Sequence, residues 1–575
     1  IKPEFTKKIL GDEQPITCRF ADTLAPEMDK LKAEAAKWAT QEEDVLTYAM
    51  FPQVAPKFFE KRNAKKQGVD GAVQLIASLP YVDTARIGVT GHSSGGTAAN
   101  MAVEIDNSRE TPLIAAVLQQ AGDWQDDTGG DHSGDYGSRS VGIIASTHDD
   151  FYFGTYDDAG NMLTNPAAFM ETDGAKKFLN FNEDGFAGIA EGGKYYTRDF
   201  DGKTAYRVIY RPNMIHPLVA FSTTCVGYAV DFFDTTLGTP KPLPASDQIW
   251  PIKAVFNSLG VIGLLIFMVS FTLVLLDTPV FSALRSGEIV QPAPVQDSGA
   301  KAWYWVLLII GAVFSGASFL FCMNTVYSKT TNFFVQTGPL TIGTWAALCG
   351  VFAIFCSAVF YGAYGKKHGW SARRAGLYLN LEQLWKTIAL AVIVIVVSFG
   401  LVFAAHYFFQ VDYRMYVVAF KTFGADKVLI ALRYLPFFLL FYVMNSISAN
   451  CFNYNTIGGK NGNILIFAFF NALGAIFVVA SQYIYFYATG YQLYGLTEGQ
   501  RIGPIWLFPC MVLLFVTPIM SRIIYKRTRN PYIAGLINAM FIVMISCSNT
   551  TTILCIGIDR CLVVSLTKEV QFQFQ

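Results

Sequence analysis

The chain has 575 residues, with 44 Lys and Arg against 44 Asp and Glu, so its formal net charge is zero. No global field then favours nucleic acid or an anionic membrane surface, and no nucleic-acid partner is expected. A hydrophobic fraction of 52% and a mean hydropathy of +0.33 are too high for a wholly soluble protein, and the charges crowd ahead of Ala254.

Residues 1–66 are rich in Lys and Glu and hold a single glycine, Gly11. The opening Ile1-Lys2-Pro3-Glu4 is charged, with no apolar stretch after it, so no signal peptide is expected there. The pattern predicts a helix over Pro26–Thr40, with Met28, Leu31, Ala35 and Trp38 on one face, and a second over Glu42–Met50. Acids in the first turn of the second helix suit its dipole.

Residues 68–238 read as α/β. Gly68–Leu79 is predicted helical, with Val69, Val73, Ile76 and Leu79 on one face. Arg86–Thr90 is an apolar strand and Thr97–Val103 a helix of small residues, joined by Gly91-His92-Ser93-Ser94-Gly95. G-x-S-x-G between a strand and a helix is the pattern of a nucleophile elbow. Gly91 and Gly95 would relieve crowding in a tight turn that strains Ser93 and projects its hydroxyl. The backbone N–H of Ser94 would face a developing oxyanion at the helix N-terminus. Leu113–Leu118, Val141–Ala145 and Ala205–Tyr210 are short apolar strands suited to a buried parallel sheet, and Pro217–Leu237 is a closing amphipathic helix.

A serine nucleophile in such a fold needs an acid and then a histidine on later strand ends. The segment Val141–Asp150 delivers Asp149 and Asp150, and His216 follows the last strand. Asp149 is the expected orienting acid, with Asp150 and Asp123 as alternatives, and His216 the expected base. His92, His132 and His148 read as packing or loop residues. Neither the cysteine spacing nor the Gly/Asp-rich loop Gly129–Gly137 has a regular ligand pattern, so no metal or cofactor is expected. The irregular stretch Phe151–Tyr196 is a candidate lid.

From Ala254 onward eight apolar runs are long enough to cross a bilayer: Ala254–Leu276, Ala302–Met323, Gly338–Gly365, Thr387–Phe409, Tyr434–Cys451, Ile464–Thr489, Ile502–Met520 and Tyr532–Ile553. The loop after the third carries Lys366, Lys367, Arg373 and Arg374, and that after the seventh carries Arg522, Lys526, Arg527 and Arg529. Four spans separate the two loops, so the positive-inside rule makes both cytoplasmic and places the residues before Ala254 on the outer face. The span interiors lack Asp and Glu, His406 and Arg433 sit near span ends, and Asn445, Ser446 and Asn471 read as helix glue. An anchor or lipid-facing platform is therefore expected rather than an ion-coupled transporter.

Leu79-Pro80-Tyr81-Val82-Asp83 leading into Gly91–Gly95, His148-Asp149-Asp150-Phe151 and Ile215-His216-Pro217 together resemble a membrane-anchored bacterial α/β-hydrolase over about residues 68–553. The resemblance implies Ser93, Asp149 and His216 as triad, a multi-pass bacterial cell-membrane protein, and the bilayer and an acyl substrate as partners. Gly11–Arg19 and Glu43–Ala55 resemble the C-terminal part of the carboxyltransferase chain of biotin-dependent enzymes, the oxaloacetate decarboxylase alpha subunit and pyruvate carboxylase. That family's metal-binding barrel and a Met-Lys-Met biotin motif are not among these residues, so this fragment is expected to carry no chemistry of its own.

The expected fold is thus an α/β-hydrolase with an incomplete parallel sheet (68–238), followed by an all-α transmembrane domain (254–553) and preceded by a helical segment (1–66). A join of two unrelated sequences, by natural fusion or by assembly error, is expected near Ala64–Gly68. The strands that normally precede the elbow have no source in residues 1–66, and neither has the second oxyanion donor, whose loss typically lowers kcat by about 10²–10³. A serine esterase or other acyl hydrolase, impaired to that extent, is the leading expectation. A membrane protein with a degenerate hydrolase remnant and a biotin-dependent carboxyltransferase component are the alternatives.

Overall fold

The computed structural model describes residues 61–550, 552–555 and 561–564, apart from 126–129, 158–160, 240–241, 289 and 296. The two helices expected within residues 26–50 lie outside the described residues.

The first described helix, α1 (Lys61–Ala77), runs without a break through the join expected at 64–68. It is followed by β1 (Ile87–His92), α2 (Ser94–Asp106), β2 (Ile114–Gln120) and β3 (Ser140–Ile144). The chain then forms the hairpin β4 (Thr155–Tyr156) and β5 (Met162–Thr164), the short α3 (Asp173–Leu179), and the strands β6 (Tyr196–Phe200) and β7 (Lys203–Tyr210). The expected helix Pro217–Leu237 divides into a 3-10 turn, His216–Phe221, and α4 (Thr223–Leu237). The division falls at Ser222, whose side chain accepts from the backbone of Cys225 and starts the second helix.

These strands make a small mixed sheet in the order β1-β2-β3-β7-β6. The first four are parallel, and β6, which the sequence pattern did not suggest, pairs antiparallel with β7. An all-parallel sheet was expected; the antiparallel strand arises because Asp201-Gly202 turns the chain straight back, with Gly202 at φ +82. Alternate residues feed two cores. Val117, Ile143 and Ile209 pack with Val73, Val103 and Phe178 on one face, while Leu118, Ile144 and Val208 pack with Phe232 on the other. Strand β1, which leads into Ser93, stands at the sheet edge, so its outer side has no strand neighbour among the described residues.

A buried polar cluster fastens α1 to this sheet. Arg109 bridges Asp70 of α1 and Asp106 of α2, and Arg139 reaches Asp106 from the other side at 2.8 Å. Burial alone would raise the Asp106 pKa, but the N–H groups of Leu113 and Ile114 and the two guanidiniums bring it below the usual value. The stretch considered as a lid is anchored instead of loose: Phe153, Phe169, Phe178 and Leu179 are buried in the first core.

Among the described residues eight helices are long and apolar enough to cross a membrane: Trp250–Leu276, Ser298–Thr325, Thr337–Gly365, Leu381–Phe409, Ala425–Phe452, Asn461–Thr489, Glu498–Thr528 and Pro531–Ser548. Each expected span lies on one of them, and most helices extend beyond the apolar run. The eighth stops at Ser548, short of the expected Ile553, and Thr552–Cys555 instead pairs as a strand with Cys561–Val564. Met268, Leu390, Tyr434, Ile533 and Phe541 fill the bundle core. Ile266, Val313, Val396 and Phe477 point outward and are more than half exposed, as side chains facing lipid do.

Loops after the odd-numbered spans meet at one end of the bundle. Ser286 N–H donates to Arg527 O, Ala293 N–H to Tyr454 O, and Trp370 Nε1 to Cys451 O. Both basic loops therefore share one end. Three of the four basic residues expected in the loop after the seventh span, Arg522, Lys526 and Arg527, lie instead within the helix Glu498–Thr528. Arg522 is 2% exposed inside the seventh span and donates to Asn450, Asn463 and Ala449 O, with its guanidinium over the Tyr454 ring. The helix continues past the apolar run, and three acceptors stand where the guanidinium is buried.

Candidate active site

The four parallel strands end in register. His92, Gln120, Ile144 and Tyr210 stand side by side across the sheet. The segments carrying Ser93, Asp123, Asp149 and His216 therefore leave from one sheet end, as ligand sites in parallel sheets do.

Ser93 has φ 56 and ψ −126, a region sterically hostile to any side chain. The turn is held by Ser93 N–H donating to Gln120 O at 2.9 Å and by Gly96 N–H donating back to Ser93 O at 2.8 Å. A Cβ on Gly91 would sit 2.1 Å from the backbone of Gly95, so only glycine fits. The expectation for Gly95 is corrected: a Cβ there meets nothing within 4 Å. Its Cα faces a cavity, and crowding falls instead on Gly96, whose Cβ would lie 2.2 Å from Gln119 Oε1. Ser94 opens α2 and is exposed, so its N–H lies at the positive end of the helix.

Asp149 is fully buried. Its Oδ1 accepts from the N–H groups of Phe151 and Tyr152 at 2.9 Å, its Oδ2 accepts from Ser146 Oγ at 3.2 Å, and both oxygens lie 3.0 Å from His216 Nδ1. Burial would raise its pKa, but the facing His216 and the two N–H donors bring it below the usual carboxylate value. Burial conversely presses the His216 pKa down, and the Asp149 charge outweighs that and holds it above the usual imidazole value. Ser93 and His216 line one cavity.

Asp150 and Asp123 bond to backbone groups instead of the imidazole. Asp150 Oδ2 accepts from the backbone N–H of His216 at 3.2 Å, which fixes the loop. Burial, aggravated by the Asp149 charge, pushes its pKa up to about 8. Burial likewise raises Asp123, to about 6, and its carboxylate accepts from Gln125 N–H. His92 packs 4.8 Å from the His216 ring, His132 pairs with Asp135, and His148 lies on Tyr487 at 4.4 Å. Among the described residues no group of three or more His, Cys, Asp and Glu is placed to hold a metal.

Sequence reasoning did not find the contribution of the bundle. Gln492 Nε2 donates to Asp150 O at 2.6 Å from the loop after the sixth span, and Arg501 lies 4.6 Å above the Tyr156 ring. Partners more than 330 positions apart in the chain carry no local pattern.

Comparison with known proteins reaches the other end of the chain. A family model described as a conserved carboxylase domain matches residues 1–110, running from the undescribed start through the elbow and α2. A pyruvate carboxylase subunit of Methanocaldococcus jannaschii is 52% identical over 61 residues, 10% of this chain and 11% of that protein. Its counterpart from Methanothermobacter thermautotrophicus, also a pyruvate carboxylase subunit, is 45% identical over 60 residues, 10% of this chain and 11% of that protein. The methylmalonyl-CoA carboxyltransferase 5S subunit of Propionibacterium freudenreichii is 57% identical over 60 residues, 9% of this chain and 12% of that protein. The chain thus spans only about a ninth of the length of these relatives. No solved structure matches.

Proposed function

We propose that residues 68–553 form a membrane-bound serine hydrolase of acyl esters, built as a partial α/β-hydrolase on a transmembrane bundle. The observation carrying this reading is the strained Ser93 on the same sheet end as the buried His216–Asp149 pair. In this mechanism His216 Nε2 takes the Ser93 proton as Oγ attacks the acyl carbon, and the same imidazole returns the proton to the leaving group. Asp149 keeps the other proton on Nδ1 and steadies the imidazolium. Ser94 N–H stabilises the oxyanion at a helix N-terminus. The second donor would come from beyond β1, where no strand stands among the described residues. The basic loops face the cytoplasm in this reading and the sheet lies outside. A fluorophosphonate probe tests it on the full chain in nanodiscs: labelling lost in Ser93→Ala supports it, and equal labelling of both chains removes it.

A second reading, a component of a biotin-dependent carboxyltransferase or decarboxylase, is the one that the sequence comparisons favour, through residues 1–110. It would make the N-terminal segment functional and the bundle its anchor. Carboxyl transfer from carboxybiotin to pyruvate by the purified chain tests it; no transfer above a chain lacking residues 1–66 removes it.

A further inference from the structure

The bundle packs against the proposed catalytic end. Gln492 holds the Asp150 carbonyl, the rings of His148 and Tyr487 lie 4.4 Å apart, and those of Phe221 and Tyr416 lie 4.7 Å apart. Ile215, next to His216, is buried in one cluster with Phe319, Trp345 and Phe486 of the bundle. A cavity of about 2530 Å³ begins at Ser93 and His216 and continues between the spans past Phe314, Trp345, Phe441 and Leu514. That is several times the ~300–1,000 Å³ of a site for a compact small molecule.

Most of the surface lining this cavity is apolar, and that part suits an apolar guest. Asn445 and Asn471 are polar residues of the lining, but Asn445 Nδ2 donates to Asn471 Oδ1 at 2.6 Å and Asn471 Nδ2 to Leu514 O at 2.7 Å. Asn471 is thus held at both its oxygen and its nitrogen by protein groups. A cavity walled between the spans by Phe314, Trp345, Phe441 and Leu514, with charged residues such as Arg414, Lys421 and Arg501 also in its lining and a nucleophile at one end, fits an extended hydrocarbon tail bearing one ester.

We propose that this cavity receives the long acyl chain of a membrane-lipid ester and presents its carbonyl to Ser93. The proposal rests on the serine-hydrolase reading. Ser93 Oγ forms the acyl-enzyme bond as the ester C–O bond breaks, the His216 proton goes to the departing alcohol, and water then releases a fatty acid.

The test uses the full chain in nanodiscs and p-nitrophenyl esters from acetate to decanoate. kcat/KM is expected to rise with chain length, by at most about fourfold per added CH₂. Gly311 lines the cavity, and a Cβ there meets nothing within 4 Å. Gly311→Phe, or Ala353→Phe on the same lining should the first fail to fold, is expected to lower the decanoate-to-acetate ratio about tenfold. A flat length profile, or an unchanged ratio in a folded variant, overturns the proposal while Ser93-dependent hydrolysis stands. Loss of all Ser93-dependent labelling and hydrolysis overturns the parent reading. A second readout needs no turnover: a diazirine-bearing palmitate should crosslink near Trp345 in the Ser93→Ala chain, and less so when Gly311→Phe is added. Crosslinking that Gly311→Phe leaves unchanged, or none near Trp345, shows that the tail does not occupy the cavity.

Discussion

Asp149→Asn separates the orienting role proposed for this residue from its structural one. Asp149 Oδ1 receives two backbone N–H groups, from Phe151 and Tyr152, both at 2.9 Å. An asparagine keeps both bonds only by placing its carbonyl there, which turns its NH₂ toward His216 Nδ1 and Ser146 Oγ. Two donors cannot face each other, so Nδ1 must become the acceptor and the proton moves to Nε2, where the base is needed. The loop is retained and the tautomer is wrong. We predict a fall in kcat of about 10⁴, the factor known for the equivalent change in a serine protease, which is about 5.4 kcal/mol of lost transition-state stabilisation. The full chain in nanodiscs would be compared with wild type for ester hydrolysis, fluorophosphonate labelling rate and thermal midpoint. Asp149→Ala is the contrast, because it strands both N–H groups and the imidazole, at about 1–3 kcal/mol each. If Asp149→Asn hydrolyses and labels at the wild-type rate while remaining folded, Asp149 does not set the His216 tautomer.

The pH profile follows from the same pair. His216 acts as base only when neutral, and its pKa is raised above 6.5, so labelling should be lost as pH falls through a value above 6.5; Asp149→Asn should move that limb to lower pH. For stability, the raised His216 contributes fully below 6.5 and the lowered Asp149 contributes above 3.8, so the melting difference from Asp149→Asn should be greatest between those values. Asp150 is pushed up to about 8 from 3.8, so the folded state holds a proton that the unfolded state has released. Wild-type stability should therefore decline as pH rises between those values, and the decline should flatten in Asp150→Asn, read from melting midpoints across pH. Gly91→Ala, with its Cβ 2.1 Å from backbone, should abolish labelling and destabilise by about 1–3 kcal/mol or more, whereas Gly95→Ala should still label. Equal labelling of the two would refute the assigned backbone crowding.

The local features of the elbow were legible in the chain. Glycine, serine and a following run of small residues fix a strand, a strained turn and a helix within about twenty positions, because steric exclusion acts between near neighbours. The eight apolar helices were legible for a similar reason: length and hydropathy alone set what can cross a bilayer. Their ends were less so, since Arg522 looks like a loop cation until Asn450 and Asn463 are seen to accept from it. Choice among Asp123, Asp149 and Asp150 was open in the sequence. Three-dimensional register places Asp149, not Asp150, within 3.0 Å of the His216 imidazole and leaves Asp150 to hold a backbone N–H. The edge position of β1 and the antiparallel β6 likewise required the whole sheet. So did the cavity shared by Ser93 and the bundle, whose walls come from residues hundreds of positions apart. Short-range sterics and hydropathy are written in consecutive residues, whereas which acid meets which base depends on loop closure and packing that no single segment encodes.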